Sequence, residues 1–469
     1  GHQGWSKLTK FLHPSVYLVD WSPCEKYLVT WNNVEDPEGT KPADMKCVIV
    51  WDVEASLRTG KEVKLRGFQG SKAANAWPIF KWSFDDKFMA RVDEDFIKVY
   101  ETPSMSLLDK KLIHAPGVKD LQWSPTQSCA AYWSPEVGNQ PARVMLMKFP
   151  EKEEMRSKNL YNVSDVRLHW QDDGDYLCCK VDRHTKSKKT LYCNFELFRV
   201  KERDVPVDVV EMKDSVMAFA WEPKGCRFAI IHGDSTGNRP SVSFYSMKGA
   251  MKGDDVLHLK TLEKRPANTL FWSPTGNHIM LGGLRQLNGL LEFYNVNDLE
   301  SFGSAEHYLC DNVEWSPCGR YVSTCVTQYR HTMENGYSIW SFQGRLINRQ
   351  PLDKFFSFQW RPRPKTLLSE EAATKVERNL KYFADKYSKD DYADTQADSA
   401  AKQAERAAAV EEFMEYRTGC KKIFDLQRQL RIDLRHGYIS DDEDDFVEIV
   451  EEMDNQIEYK KEEVHPSLS

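Results

Sequence analysis

The residues best equipped for chemistry in this chain are cations and an apolar helical stripe. Arg183-His184-Thr185-Lys186-Ser187-Lys188-Lys189 lies between two strand-like runs, and five of its seven residues are Arg, Lys or His. Positive charge at Arg183, Lys186, Lys188 and Lys189 suits RNA phosphates. A second cluster sets Arg361, Arg363 and Lys365 beside two prolines. Neither cluster is interleaved with aromatic side chains, so the expected RNA contact is to the backbone and salt-sensitive, not stacked. The plainer reading of each is a solvated loop. A third group is Phe413, Tyr416, Cys420, Ile423, Leu430 and Leu434, at intervals of 3, 4, 3, 7 and 4, with Gln427 in the gap. That spacing puts an apolar stripe on one side of a helix, as a partner-facing surface or a coiled-coil seam. Packing on the chain's own body is the alternative. Phe446 and Ile449 follow five consecutive acids, Asp441 to Asp445. They read as a short binding motif in an otherwise solvated tail.

Covalent chemistry is not indicated. The chain has no G-x-x-x-x-G-K-S/T loop, no G-x-S-x-G, no H-E-x-x-H and no EF-hand loop. No catalytic residue, cofactor or metal is therefore expected. An enzyme working in a propeller channel is the residual alternative, and convergent ionisable residues there would be its mark. The eleven cysteines include no C-x-x-C pair. They read as reduced core residues of a cytoplasmic protein. Adjacent Cys178 and Cys179 should point to opposite faces of a strand. No apolar run nears the roughly 18 residues of a membrane helix.

The elements that must position these groups follow from an internal repeat. An apolar run ends in Trp, then comes a Ser/Pro-type turn, then a second apolar run. Clear copies are Trp21-Ser22-Pro23, Trp123-Ser124-Pro125, Trp272-Ser273-Pro274 and Trp315-Ser316-Pro317. Variants begin at Trp82, Trp170, Trp221 and Trp360. A third strand ends in an aromatic, as in Val48-Ile49-Val50-Trp51, Ile97-Lys98-Val99-Tyr100 and Tyr337-Ser338-Ile339-Trp340. Four short strands every 40–50 residues or so is the pattern of a β-propeller blade. The repeated Trp is expected to pack between blades. The fold class is therefore all-β, an eight- to nine-bladed WD-repeat propeller over residues 1–368. An α-helical extension over 369–437 and an acidic tail over 438–469 follow. Ser6 to Leu12 reads as a final blade strand, and Pro364 to Leu368 as another. The chain begins at Gly1 without Met, which suggests a truncated N-terminus and a first blade that is incomplete. The extension is expected to hold a helix from Ser369 and a second from Ala400 to His436, stopped by Gly437.

Charge divides along the same boundaries. The whole chain is at −7, with 64 bases against 71 acids. Ser440 to Ser469 contains 12 acids and 2 bases, more than the entire excess, so residues before the extension are mildly basic. A basic body is compatible with a nucleic-acid partner.

Longer stretches resemble the family of the b subunits of eukaryotic translation initiation factor 3. They include Trp77-Pro78-Ile79-Phe80-Lys81-Trp82-Ser83, Tyr100-Glu101-Thr102-Pro103-Ser104-Met105, Pro206-Val207-Asp208-Val209-Val210-Glu211-Met212 and Trp360-Arg361-Pro362-Arg363-Pro364. The resemblance covers about residues 10–437. It implies a non-enzymatic scaffold that binds the small (40S) ribosomal subunit and its RNA, with the i, g and a subunits of the factor as partners. It also implies that the C-terminal helix docks on the i subunit around Phe413, Tyr416 and Arg417, with the g subunit nearby. Two departures stand out. The chain shows no RNA-recognition-type domain, and it has eight markers where the family has nine blades. A propeller scaffold resembling initiation factor 2A is the alternative.

Overall fold

The computed structural model describes residues 7–32, 47–69, 77–184, 191–233, 240–248, 256–362, 369–379, 382, 404 and 407–437. The chain divides into two compact units, Gly1–Lys365 and Thr366–Ser469. Among the described residues the first unit is a β-propeller of seven antiparallel sheets, each drawn from consecutive strands in chain order. The first sheet pairs Val16–Trp21, Tyr27–Asn32, Val48–Asp52 and Val63–Phe68. The seventh pairs Asn312–Trp315, Tyr321–Val326, Gly336–Ser341 and Leu346–Pro351. The second sheet differs in having a fifth short strand, Ile113–His114, on its third strand.

The marker Trp closes the first strand of all seven sheets. First strands touch at the junction of the second and third sheets and at each junction from the fourth sheet to the seventh, so this strand is innermost there. The residue after Trp explains the tight turn. Ser316 Oγ accepts from Tyr321 N at 3.0 Å, and Gly319 N donates to Ser316 O at 2.8 Å. Gly319 sits at φ +70°, where a side chain would be strained. Ser22 and Ser83 accept from Tyr27 N and Phe88 N in the same way. In the fifth sheet a carboxylate takes over, with Arg227 N donating to Glu222 Oε2 at 3.3 Å.

The Trp itself does more than fill space. From the third sheet onward, each indole Nε1 donates to the backbone carbonyl just before the marker Trp of the preceding sheet. Trp123 reaches Lys81 O at 2.9 Å, Trp170 reaches Gln122 O at 3.2 Å and Trp221 reaches His169 O at 2.8 Å. Trp272 reaches Ala220 O at 3.2 Å and Trp315 reaches Phe271 O at 3.0 Å. A buried indole N–H needs a partner, and this geometry supplies it without a second polar side chain.

Apolar burial follows the same order. Six large clusters each join two consecutive sheets, one for every junction in the series of seven. Cys178 and Cys179 do point to opposite faces: Cys178 packs toward the fifth sheet and Cys179 toward the third. Burial raises both thiols well above the usual range and pushes Cys193, Cys310 and Cys325 up to about 12. These are inert core residues.

The two ends of the array differ from the sequence reading. Trp360 donates to Glu314 O at 3.1 Å, as an eighth marker should, and stacks on Tyr321. Yet 352–362 form no strand, so eight markers give seven sheets among the described residues. Residues 7–13 are not a strand either. They cross the end of the first sheet, where Phe11 meets the Trp51 ring and Leu12 N donates to Glu62. Leu8 and Leu12 are exposed, so no apolar face holds this stretch in a ladder. Trp21 is 49% exposed, whereas the six marker tryptophans from Trp82 to Trp315 are mostly buried. Pro364 to Leu368 lie outside the described residues.

In the second unit Glu370–Arg378 is a helix capped by Ser369, whose hydroxyl accepts from Ala372 N. A longer helix spans 407–426 and continues as Arg428–Leu434. Gln427 interrupts the helix assignment, but Gln427 N donates to Ile423 O and Arg431 N to Gln427 O, so the ladder crosses it. The stop comes one residue earlier than expected. His436 takes the left-handed conformation, and Gly437 N donates back to Ile432 O at 2.9 Å. His436 N to Asp433 O completes a Schellman cap. No described helix is long and apolar enough to cross a membrane.

Candidate protein and nucleic-acid interfaces

The long helix places Phe413, Tyr416, Cys420, Ile423, Leu430 and Leu434 within a stripe about 100° wide at 3.6 residues per turn. All described residues from 407 to 430 are exposed. The stripe is therefore unburied along its length, with Tyr416 at 69% and Leu430 at 60%. Phe424, which the spacing rule left out, widens it. Its ring lies 3.4 Å under the Arg431 guanidinium. Helical phase adds a charge asymmetry. Arg417, Lys421, Arg428 and Arg431 line one edge, while Glu412, Glu415 and Asp433 line the other. Such a surface can seat in an apolar groove whose rim bears opposite charges. Phe446 and Ile449 lie outside the described residues.

The basic loop is only partly described. Its hairpin is built from strands of nine residues, Tyr176–His184 and Leu191–Arg199. The equivalent second strands of the other sheets have five to seven. Arg183 is already engaged in the fold. It donates to Tyr161 O at 2.7 Å and to Glu196 Oε1 at 3.0 Å, and Lys158 lies 3.6 Å from the same carboxylate. Glu196 is buried, so it needs this pairing. Lys186, Lys188 and Lys189 lie outside the described residues, as does Arg363. Arg361 is exposed just beyond Trp360.

The inner strands enclose ionisable groups. A cavity of about 680 Å³ is lined by Asp120, Gln122, Arg167 and His169, with Trp123 and Trp170. Asp120 accepts from Gln122 Nε2 at 3.1 Å, and Arg167 faces Asp165 at 3.5 Å. Burial, then Lys180 and Arg167, hold His169 down at about 4, so it is neutral near pH 7. No hydroxyl or thiol nucleophile joins it in the lining. Another group has the outline of a hydrolase triad: His232 lies 2.8 Å from both Asp214 Oδ2 and Ser243 Oγ. Ser243 is 1% exposed and bonds onward to Thr261. No substrate can reach it, and the chain of bonds ties strands together. The first and seventh sheets hold related ties, His13–Thr30–Trp51 and His307–Thr324–Trp340.

Comparison with known proteins adds the following. The family model described as "Eukaryotic translation initiation factor eIF2A" matches residues 158–358, less than half of the chain. Proteins named as the B subunit of eukaryotic translation initiation factor 3 match nearly all of this chain. The one from Xenopus laevis is 43% identical over 452 residues, covering 96% of this chain and 63% of its own length. The Bombyx mori protein is 42% identical, at 96% and 64%. That of Arabidopsis thaliana is 43% identical over 486 residues, at 100% and 67%. The chain thus spans a little under two thirds of the first two relatives. A solved "eukaryotic initiation factor" superposes with a TM-score of 0.60 at 21% identity, covering 75% of this chain and 82% of that one. That likeness concerns the propeller fold.

Proposed function

Because the chain belongs to the B-subunit family of eukaryotic translation initiation factor 3, we propose that it is a non-catalytic scaffold of translation initiation in the cytoplasm. In this reading the propeller binds the 40S particle and its RNA. The helix through Phe413, Tyr416, Arg417, Cys420, Ile423 and Leu430 recruits the i and g subunits, and the a subunit is a further partner. The observation that supports it most is the unburied stripe with one basic and one acidic edge. A helix of this kind gains its stability from a partner's groove.

The test is co-purification with the i subunit. Tyr416→Ala with Arg417→Ala should abolish capture without changing the melting temperature, and undiminished capture would overturn the helix assignment. For the ribosome, reversing Lys186, Lys188 and Lys189 should weaken 40S binding and flatten its salt dependence. Unchanged affinity and slope would clear that loop. A second reading, a propeller scaffold acting outside the larger factor, rests on the match of residues 158–358 to the eIF2A family model alone and is less favoured than the first, because B-subunit relatives match 96% or more of the chain. Mass spectrometry of stably bound partners separates the two, since only the first reading retains the i and g subunits.

A further inference from the structure

We propose that two loops at the end of the seventh sheet form a stacking site for single-stranded RNA, separate from the lysine loop. Residues 327–335 join the second and third strands of that sheet, and 352–358 follow its fourth. Tyr329 is 79% exposed on the first loop, and Phe356 is 48% exposed on the second. Their rings meet edge to face, with centroids 5.3 Å apart. Met333, also exposed, belongs to the same loop as Tyr329.

The rings are held out by a fixed backbone. Gln328 N donates to Phe355 O at 2.7 Å, and Leu352 N to Asn335 O at 3.0 Å, so each loop anchors the other. Asn335 Nδ2 donates to Gln328 Oε1 at 2.8 Å. Thr327 is tied to Asp311 through both its N–H and its hydroxyl. Arg330 N and His331 N both donate to Thr327 O. An aromatic pair on a pinned loop loses little freedom when a planar ligand settles on it.

Charge selects the ligand. Arg330 and Lys354 are exposed on these loops and take part in no ion pair among the described residues. Glu334 is neutralised by Arg349 at 3.2 Å, which leaves Asp353 as the opposing acid. Two such cations beside two projecting rings suit bases stacked on the rings and phosphates on Arg330 and Lys354. A duplex keeps its bases stacked on each other, so the rings reach them only in a single strand.

The site is tested on the full 469-residue chain. Fluorescence anisotropy would follow a labelled oligouridine of about twelve nucleotides and a matched RNA duplex. The chain should prefer the single strand. Tyr329→Ala with Phe356→Ala should weaken single-strand binding by about tenfold or more and leave duplex binding unchanged. Tyr329→Phe should keep single-strand binding within about twofold, because the stacking face remains. Tyr329→Ala alone removes an exposed ring, so it gives a folded protein to measure if the double variant melts early. Equal affinity for both RNAs, or unchanged single-strand affinity in a folded Tyr329→Ala variant, would overturn the proposal. So would loss of a protein partner with RNA affinity intact. The co-purification test of the helix is independent, so either idea can fail alone.

Discussion

The seven-sheet array and the long helix use the same residues, bulky apolar side chains at regular intervals, for opposite ends. From Trp123 onward, each interval in the array returns a Trp to a junction between sheets, where its ring packs and its N–H is bonded to the neighbour. In the helix each interval returns a side chain to water. Period alone does not decide between core and interface. What decides is whether the chain supplies a second surface at the right distance. The propeller does so with the next sheet. For the helix, no second surface covers the stripe among the described residues.

Substitutions should sharpen this contrast, the largest effect first. Trp221→Ala should destabilise the array by about 3–5 kcal/mol, seen as an earlier urea midpoint, because a buried ring and a junction bond go together. If the loss were below about 1 kcal/mol, the junctions would be more plastic than the clusters imply. Acidification comes next. Burial holds His307 at about 4, against about 6.5 in the unfolded chain. Its folded value is lowered, so stability is complete above pH 6.5 and falls as pH drops toward about 4. There the unfolded chain takes up a proton that the folded one does not. His169 is held down alike, so each of the two should add about 1.4 kcal/mol per pH unit, and His307→Asn should lower the slope by its own share. A melt series across that window, with the variant beside the parent, checks the sign. Trp221→Phe keeps a ring but loses the N–H donor, and should cost about 1 kcal/mol by urea titration. Phe413→Ala is the smallest for stability, within about 0.5 kcal/mol, because the ring is exposed. A larger loss would mean that the helix packs within its own chain, and the contrast would fail.

Much of the array was legible because its signals are local. A Trp, a Ser and a Gly within five residues specify a strand end, a hydroxyl acceptor and a left-handed turn, as at Trp315, Ser316 and Gly319. Variants were harder. Glu222 replaces the hydroxyl with a carboxylate that also takes Arg227 and Asn277 N, a role no spacing rule assigns. That the eighth marker heads no strand among the described residues was hidden for a related reason, since Trp360 makes the marker's bond without a ladder around it. On the helix, the stripe was legible from periodicity, whereas Phe424 was missed because it adjoins Ile423 and belongs to the stripe only by angle. Arg183 read as a free cation because Glu196, its partner, arrives on the next strand. The Tyr329 and Phe356 pair was invisible for the plainest reason. Two loops separated by a hairpin must fold before the rings meet.

The direction of the indole bonds has a consequence for how the molecule comes into being. Each marker indole from Trp123 onward looks back to a backbone carbonyl 42 to 52 residues earlier, never forward. A chain growing from its N-terminus therefore always has the acceptor in place before the donor is made. These six closures span similar lengths, so none of them bears an outsized loop entropy. Assembly can proceed as a ratchet, one sheet locking onto the last, with the newest edge as the site where misassembly can begin.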